Sequence, residues 1–272
     1  MELFLNKIDY KSYCRENKID KIFNIDIKEY GNLEKKIYRE SNQSIDPNNN
    51  VPYPVELDDL IRLHFLVRSR KVISVLEFGV GNSTAVFNDA LGKNKNDYQD
   101  FVTKKLRAFN TFECHSLDNN QKWIDQVKKN FSKLNNVKFH FSECEMSLIN
   151  SKICCLFKRL PNVSPDLIYI DGPDQHSLTG EVRGINNNNS NLPVVSADIL
   201  LIEYFLLPGT LIILDGRGAN SIFLKNNLQR NWVYKYSEVF DQHFFELQDA
   251  PVGKYNKSQI IFSLGKKWLE NI

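Results

Sequence analysis

Short runs of apolar residues recur along the chain, and each predicts a buried β-strand. Five of them lie at 72–76, 111–117, 137–141, 165–170 and 210–214. The run that ends at Ile170 is unbroken from Leu167, as expected of a central parallel strand that is covered on both faces. Segments predicted to be helical lie before, between and after these runs, at 55–70, 93–110 and 220–228. Alternation of strands with helices predicts an α/β fold built on a parallel sheet.

The pattern changes near the end of the chain. Segments 232–239, 244–247 and 259–264 all have β-like composition, and we expect no helix between them. Consecutive strands without crossover helices pair antiparallel, so the sheet is predicted to end in a hairpin. This ending argues against a dehydrogenase-type fold, in which crossover helices would continue.

Two parts are predicted along the chain. Residues 1–50 form an extension that is rich in lysine and asparagine, with helical pieces at 10–15 and 33–39. Residues 51–272 form one domain, in which 93–110 is an inserted helix and 177–195, with its run of asparagines, is a candidate lid loop.

Composition excludes several classes of protein. The 272 residues are 42% hydrophobic and 25% charged, which is ordinary for a globular domain. A net charge of +2 is too small to indicate binding to nucleic acid or to a membrane surface. The sequence predicts no membrane span and no signal-peptide core, and its five cysteines contain no Cys-x-x-Cys pair. We therefore expect buried, reduced thiols and a cytoplasmic location.

A glycine-containing turn follows the first predicted strand. Gly79 and Gly81 let the backbone bend and approach a ligand closely. Asn82, Ser83 and Thr84 are residue types that begin helices, so the amide groups of a new helix face the same place. A nicotinamide or flavin site would carry a third glycine where this chain has Thr84. A plain strand–helix turn without a ligand is the alternative interpretation.

The segment Glu77-x-Gly79-x-Gly81-x-Ser83 resembles the first motif of the class I S-adenosylmethionine-dependent methyltransferases. The resemblance implies that Glu77 holds the ammonium group of the cofactor and that Ser83, where the family often has glycine, reaches its carboxylate. Thr84 belongs to the same cofactor-binding turn. S-adenosylmethionine is then the cofactor and S-adenosylhomocysteine the product. The implied fold is a doubly wound, Rossmann-like, seven-stranded mixed sheet with helices on both faces and an antiparallel C-terminal strand.

Two further carboxylates extend the resemblance. Asp118 ends the second predicted strand, and Asp118-x-x-x-x-Trp123 resembles the second motif of the family, which implies that Asp118 binds the ribose hydroxyls. Glu143 follows the third strand, where the family commonly places an acceptor for the adenine amino group. A helix cap at Asp118 and a solvated glutamate at Glu143 are the alternatives.

The acceptor side is predicted at the ends of the fourth and fifth strands. Asp171 and His176 resemble the Asp-Gly loop of small-molecule O-methyltransferases, which implies that Asp171 faces the cofactor and the acceptor. His176 is the candidate general base, since histidine titrates near neutral pH. Arg183 and Arg217 are candidates for binding an anionic acceptor, and Tyr53 for contacting the acceptor or the cofactor. For Arg217, pairing with Asp215 or Glu203 is the alternative.

Some O-methyltransferases hold a divalent cation at these strand ends. Asp171 and Asp215 match two ligands of such a site, but Gly216 stands where the third is expected. Asp174 or His176 could replace it as the third ligand, but we predict that no metal is used.

The sequence leaves three functions open. The first is an O-methyltransferase for a small molecule, such as a sugar, a nucleotide-sugar or another surface-glycan precursor. The second is a nucleic-acid or protein methyltransferase, which the charge disfavours for nucleic acid. The third is a non-catalytic module that only binds S-adenosylmethionine. The oligomeric state is not indicated.

Overall fold

The computed structural model describes residues 5–27, 55–189 and 191–272. The predicted helical piece at 33–39 and Tyr53 lie outside these residues. The α-helices are α1 (Tyr10–Asn17), α2 (Ile19–Ile22), α3 (Leu57–Ser69), α4 (Asn82–Lys105), α5 (Gln121–Asn130), α6 (Asp198–Ile202), α7 (Gly218–Asn227) and α8 (Lys254–Ser263). The strands are β1 (Ser74–Phe78), β2 (Glu113–Asp118), β3 (Val137–Phe141), β4 (Cys144–Ile149), β5 (Lys152–Phe157), β6 (Leu167–Ile170), β7 (Leu178–Thr179), β8 (Leu211–Asp215), β9 (Trp232–Ser237) and β10 (Gln242–Leu247).

The main sheet has seven strands in the order β3-β2-β1-β6-β8-β10-β9. The first five are parallel, and β10 runs antiparallel to both β8 and β9. The predicted mixed sheet with an antiparallel strand near its C-terminal end is therefore confirmed. This is the arrangement that the resemblance to class I methyltransferases implies. The carboxyl ends of the five parallel strands share one edge, which we call the carboxyl rim.

Alternate residues of the central strands enter two separate cores, because successive side chains of a strand point to opposite faces. Val75 and Tyr169 pack in the core that contains residues of α3 and α4. Leu76 and Ile168 pack in the core that contains residues of α6 and α7. Helices therefore cover both faces, as predicted, and the central strand β6 is apolar without interruption.

Helix α4, which follows the glycine turn, is long. It runs without interruption from Asn82 to Lys105, so the segment 93–110 is not a separate inserted helix but largely the second half of α4. Val102 in that half packs with Ile73, Phe112 and Phe262 in a small core of its own. That core stabilises the extension against the sheet. Whether the extra length is an insertion stays a prediction.

A second, three-stranded sheet in the order β5-β4-β7 was not predicted. It contains Cys154 and Cys155, which lie side by side on β5. The backbone of Cys155 bonds Val195 and Ala197, and β7 pairs with β4. The candidate lid loop 177–195 is thus held to this sheet near both of its ends. Its function as a lid stays a prediction.

The segment 259–264 is helical rather than a strand, so that expectation is also wrong. It lies in α8, where Asn256 and Ile260 are buried one turn apart. Strand β10 already fills the position next to β8, which leaves no place in the sheet for a further central strand. Short apolar runs of this kind do not distinguish a helix from a strand.

All five cysteines are buried thiols without disulfide bonds, as predicted. None of the helices in the described part of the chain combines the length and the apolar content that a membrane crossing requires.

Candidate functional site

The turn after β1 packs directly against the loop after β6. Gly79 has a φ of +96°, and a Cβ there would lie 2.7 Å from backbone atoms of Asp171 and Gly172. A Cβ on Gly172 would in turn lie 2.6 Å from the backbone nitrogen of Gly79. The amide of Asp171 also donates to the carbonyl of Phe78 at 2.8 Å. Both positions therefore require glycine, because the two backbones touch.

Gly81, two residues later, has open surroundings. A Cβ built there would meet no atom within 4 Å. Gly81 caps α4, whose first amide groups have no partner inside the helix. The turn therefore forms a cradle at the carboxyl rim, with helix amides on one side and room for a ligand above the glycine.

Glu77 is completely buried under this turn, at 0% exposure. Its carboxylate accepts hydrogen bonds from the hydroxyls of Ser83 at 2.5 Å and Thr84 at 2.7 Å, and from the hydroxyl of Ser116. Burial raises the pKa of Glu77 to about 7, although these three hydroxyls lower it in part. These contacts of Glu77 are with the first turn of α4 and with β2, so its predicted contact with a cofactor ammonium stays a prediction.

Asp118, the last residue of β2, also forms a hydrogen bond with the glycine turn. One carboxylate oxygen accepts from the amide of Val80 at 2.8 Å, and the other accepts from the amide of Asn120 at 2.8 Å. Burial raises the pKa of Asp118 to about 6, against the effect of these amides. Glu77 and Asp118 thus approach the glycine turn from adjacent strands. Binding of ribose by Asp118 stays a prediction.

Asn119 and Asn120 form a clamp that the sequence analysis missed. The side chain of Asn119 accepts from the amide of Asp174 at 2.8 Å and donates to its carbonyl at 3.0 Å. The side chain of Asn120 donates to the carboxylate of Asp174 at 3.0 Å. Two asparagines directly after a strand-ending aspartate were the available signal. The clamp brings the loop that carries Asp171 and His176 next to Asp118.

Asp171 lies at the rim with an exposed side chain, and Arg217 faces it. The guanidinium Nε of Arg217 lies 3.6 Å from the Asp171 carboxylate. Its Nη2 donates to the carbonyl of Asp171. Arg217 therefore pairs with Asp171 rather than with Asp215 or Glu203, the two partners that the sequence analysis considered. Its predicted role in binding an acceptor anion is not tested by these contacts.

The remaining acceptor candidates are exposed at the surface. His176 lies in a 3₁₀ turn, Gln175–Ser177, and its amide donates to Asp174 at 3.3 Å. Arg183 has a φ of 54° in the tight turn between Val182 and Ile185. His176 lies in the clamped loop and Arg183 follows it, and the predicted roles of both stay predictions. Tyr53 cannot be placed, because it lies outside the described residues.

Glu143 is exposed and forms an ion pair with Lys158 at 2.6 Å. The hydrogen bond from Lys158 lowers the pKa of Glu143. The predicted contact with an adenine amino group stays a prediction, and the lysine would compete for the same carboxylate.

Asp171 follows β6 and Asp215 ends the neighbouring strand β8, so the two carboxylates that matched a metal site stand at adjacent strand ends. Within the described residues, Asp215 is grouped with Glu56 and Asp59, with one oxygen of each lying within 4.8 Å of the others. The buried guanidinium of Arg62 pairs with Asp59, so a positive charge is already present beside this group. The hydroxyl of Tyr169 donates to Asp215 at 3.5 Å.

Comparisons with known proteins give similarity in overall fold only. No family model matches the sequence, and no curated protein matches it. Several solved structures are similar, among them two methyltransferases. The SAH-bound methyltransferase PaMTH1 of Podospora anserina is 14% identical, with a TM-score of 0.44 over 72% of this chain and 80% of that one. The O-methyltransferase TomG of Streptomyces achromogenes, solved with SAM and involved in tomaymycin synthesis, is 11% identical, with a TM-score of 0.37 over 88% and 90%.

Proposed function

We propose that the protein is an S-adenosylmethionine-dependent methyltransferase. The observation that supports this most is the open cradle at Gly81, which lies on the carboxyl rim of a sheet in the order β3-β2-β1-β6-β8-β10-β9. Ligands of open α/β sheets bind outside the carboxyl ends of the strands, where the strand order reverses. Here that point lies between β1 and β6, directly at the contact of Gly79 with Gly172.

The residues around the cradle fit this cofactor. Helix α4 offers the amide groups of its first turn for the carboxylate of the methionyl part. Asp118 ends the neighbouring strand, where a carboxylate accepts from ribose hydroxyls. Thr84 stands where a dinucleotide site would have its third glycine. Glu143 is the candidate for the adenine amino group.

We propose a small-molecule oxygen as the methyl acceptor. When bound, S-adenosylmethionine supplies an electrophilic methyl group on a positively charged sulfur. The chain must then align the acceptor oxygen with that methyl group and exclude water. Asp171 lies on the acceptor side, His176 removes the hydroxyl proton, and Arg183 and Arg217 attract an anionic acceptor. The glycan-related acceptor and the cytoplasmic location stay predictions of the sequence.

Calorimetric titration with S-adenosylmethionine, S-adenosylhomocysteine and NADH tests the cofactor. We expect both adenosyl sulfur compounds to bind and NADH not to bind. Preference for NADH, or no binding of either sulfur compound, would contradict the proposal.

Substitution of Asp118 tests the placement of the ribose. Asp118→Ala should weaken S-adenosylhomocysteine binding by about tenfold or more, because a charged hydrogen-bond acceptor is lost. The far-ultraviolet circular dichroism of the variant should match that of the wild type. Wild-type affinity in a folded variant would mean that the ribose lies elsewhere.

A further inference from the structure

The contacts of Glu77 differ from those of a ligand-binding carboxylate. Three hydroxyl groups surround it, those of Ser83 and Thr84 from α4 and that of Ser116 from β2. All four residues are buried, and Ser116 stands directly opposite Glu77 in the register of the two strands. The carboxylate thus joins β1, β2 and the first turn of α4.

The direction of these hydrogen bonds leaves Thr84 able to hold the glycine turn, which contains Gly81. An ionised carboxylate only accepts, so all three hydroxyls donate to it. The oxygen of Thr84 then keeps its lone pairs for another donor, and it accepts the amide of Gly81 at 3.1 Å. A continuous chain of hydrogen bonds therefore runs from the Gly81 amide through Thr84 to Glu77. Gly81 is the residue at the base of the cradle.

We propose that Glu77, Ser83, Thr84 and Ser116 form a hydroxyl lock, which holds the glycine turn in its ligand-binding shape without contacting the ligand. Ser116 is then a positioning residue for cofactor binding, although it lies on the neighbouring strand and is fully buried. The inference rests on the proposed function. It differs from the expectation that Glu77 holds the ammonium group directly.

The lock is sensitive to protonation, because a protonated carboxyl must donate one hydrogen bond instead of only accepting. The titratable groups that face Glu77 are Cys114 on β2, Tyr169 on β6 and Asp171 after β6. Asp171 acts with burial to raise the pKa of Glu77, and the Ser116 hydroxyl acts to lower it. Removal of the Ser116 hydroxyl should raise the pKa of Glu77 further. As the pH falls, Glu77 should then be protonated at a higher pH than in the wild type, and the lock should open there.

The test compares Ser116→Ala with Ser74→Ala by calorimetric titration from about pH 6 to about pH 9. Ser74 is a matched control, since it is a buried serine on β1 whose hydroxyl has no hydrogen-bond partner within the described residues. Each protein is titrated with S-adenosylhomocysteine and with 5′-methylthioadenosine, which lacks the amino-acid part and its ammonium group. Should Ser116→Ala fail to fold, Thr84→Val removes a hydroxyl of the same lock.

For the lock, we expect Ser116→Ala to bind both ligands about tenfold more weakly near neutral pH, while Ser74→Ala binds like the wild type. The loss should shrink at high pH, and the pH at which binding is half lost should rise by about one unit. A purely structural effect would weaken binding equally at every pH.

Three other results would overturn the inference. Wild-type binding by Ser116→Ala would remove its role while leaving the proposed function intact. A loss confined to S-adenosylhomocysteine would indicate that Glu77 contacts the ammonium directly. Binding of neither ligand by the wild type would defeat the proposed function, and the inference with it.

Discussion

At the scale of single residues, Gly79 and Gly81 have opposite surroundings. Gly79→Ala would force a Cβ into the backbone of Asp171 and Gly172 at a positive φ, whereas Gly81→Ala would add a methyl group in open space. We expect Gly79→Ala to lower the free energy of unfolding by about 3 kcal/mol or more. Gly81→Ala should change it by less than about 1 kcal/mol. Chemical denaturation of the two variants measures both changes.

Affinity for the ligand is a second test of these glycines. Gly81→Ala should remain folded but bind S-adenosylhomocysteine at least about tenfold more weakly, because its methyl group occupies the cradle. Equal stability of the two variants would contradict the contact between Gly79 and Gly172. Wild-type affinity in Gly81→Ala would show that the ligand does not approach this glycine.

The buried carboxyl of Glu77 should make stability depend on pH. Its pKa is raised from 4.5 to about 7 in the folded protein, so the folded state keeps this proton to a higher pH than the unfolded state does. The stability that it contributes is complete below about pH 4.5 and is lost as the pH rises through about 7. A shift of this size corresponds to a change on the order of 3 kcal/mol across that window.

Glu77→Gln replaces this titratable carboxyl with an amide that does not titrate. The free energy of unfolding of the variant should therefore fall less than that of the wild type between about pH 5 and about pH 8. Urea unfolding at a series of pH values measures the two slopes. Glu181→Gln, at an exposed glutamate, serves as the control and should keep the wild-type slope. Parallel slopes for Glu77→Gln and the wild type would contradict the buried, protonatable state of Glu77.

At the scale of elements, the clamp formed by Asn119 and Asn120 joins the end of β2 to the loop after β6. Asn119→Ala leaves the amide and the carbonyl of Asp174 without their side-chain partners. We expect a loss of about 1 to 3 kcal/mol in the free energy of unfolding. Hydrogen exchange should accelerate at the Asp174 amide, while the amides of β1 keep their protection.

Asn135→Ala is a matched control for the clamp, because Asn135 is an exposed asparagine in the next loop. It should leave exchange at Asp174 unchanged. An Asn119→Ala variant with wild-type exchange at Asp174 would show that other contacts hold this loop.

The sequence predicts the strands of the main sheet better than the elements beside it. The buried strands are rich in apolar residues, and a glycine or an aspartate stands at or directly after the end of β1, β2, β6 and β8. Strands β4 and β5 were missed because they lie in a separate sheet and are only partly buried. Helix α8 was mistaken for a strand because its apolar run is short. Tertiary packing, rather than local pattern, decides such segments.

The same distinction applies to the candidate site. Gly79, Gly81 and Asp118 could be found from the sequence, since each follows a predicted strand. The contacts of Asn119 with Asp174 and of Glu77 with Ser116 could not, because each joins residues far apart in the chain and no local pattern indicates the partner. The grouping of Asp215 with Glu56 and Asp59 likewise brings together residues from distant parts of the chain. Contacts between elements determine these details.

At the scale of the whole molecule, the account requires that the carboxyl rim is the binding edge of the sheet. The amino edge has a small cavity as well, lined by Arg70, Asp166, Gly209 and Gln259. There, Asp166 accepts hydrogen bonds from the amides of Ile73 and Ser74, and Arg70 pairs with Glu246 at 2.7 Å. These polar groups satisfy one another, which is typical of a structural contact between the sheet and α8.

A crystal structure of the protein soaked with S-adenosylhomocysteine distinguishes the two edges directly. The account predicts density for the adenosyl group over the first turn of α4, with the ribose beside Asp118 and the ligand adjacent to Gly81. Density in the cavity at the amino edge of the sheet, or a rim that stays closed to the ligand at saturating concentration, would contradict it.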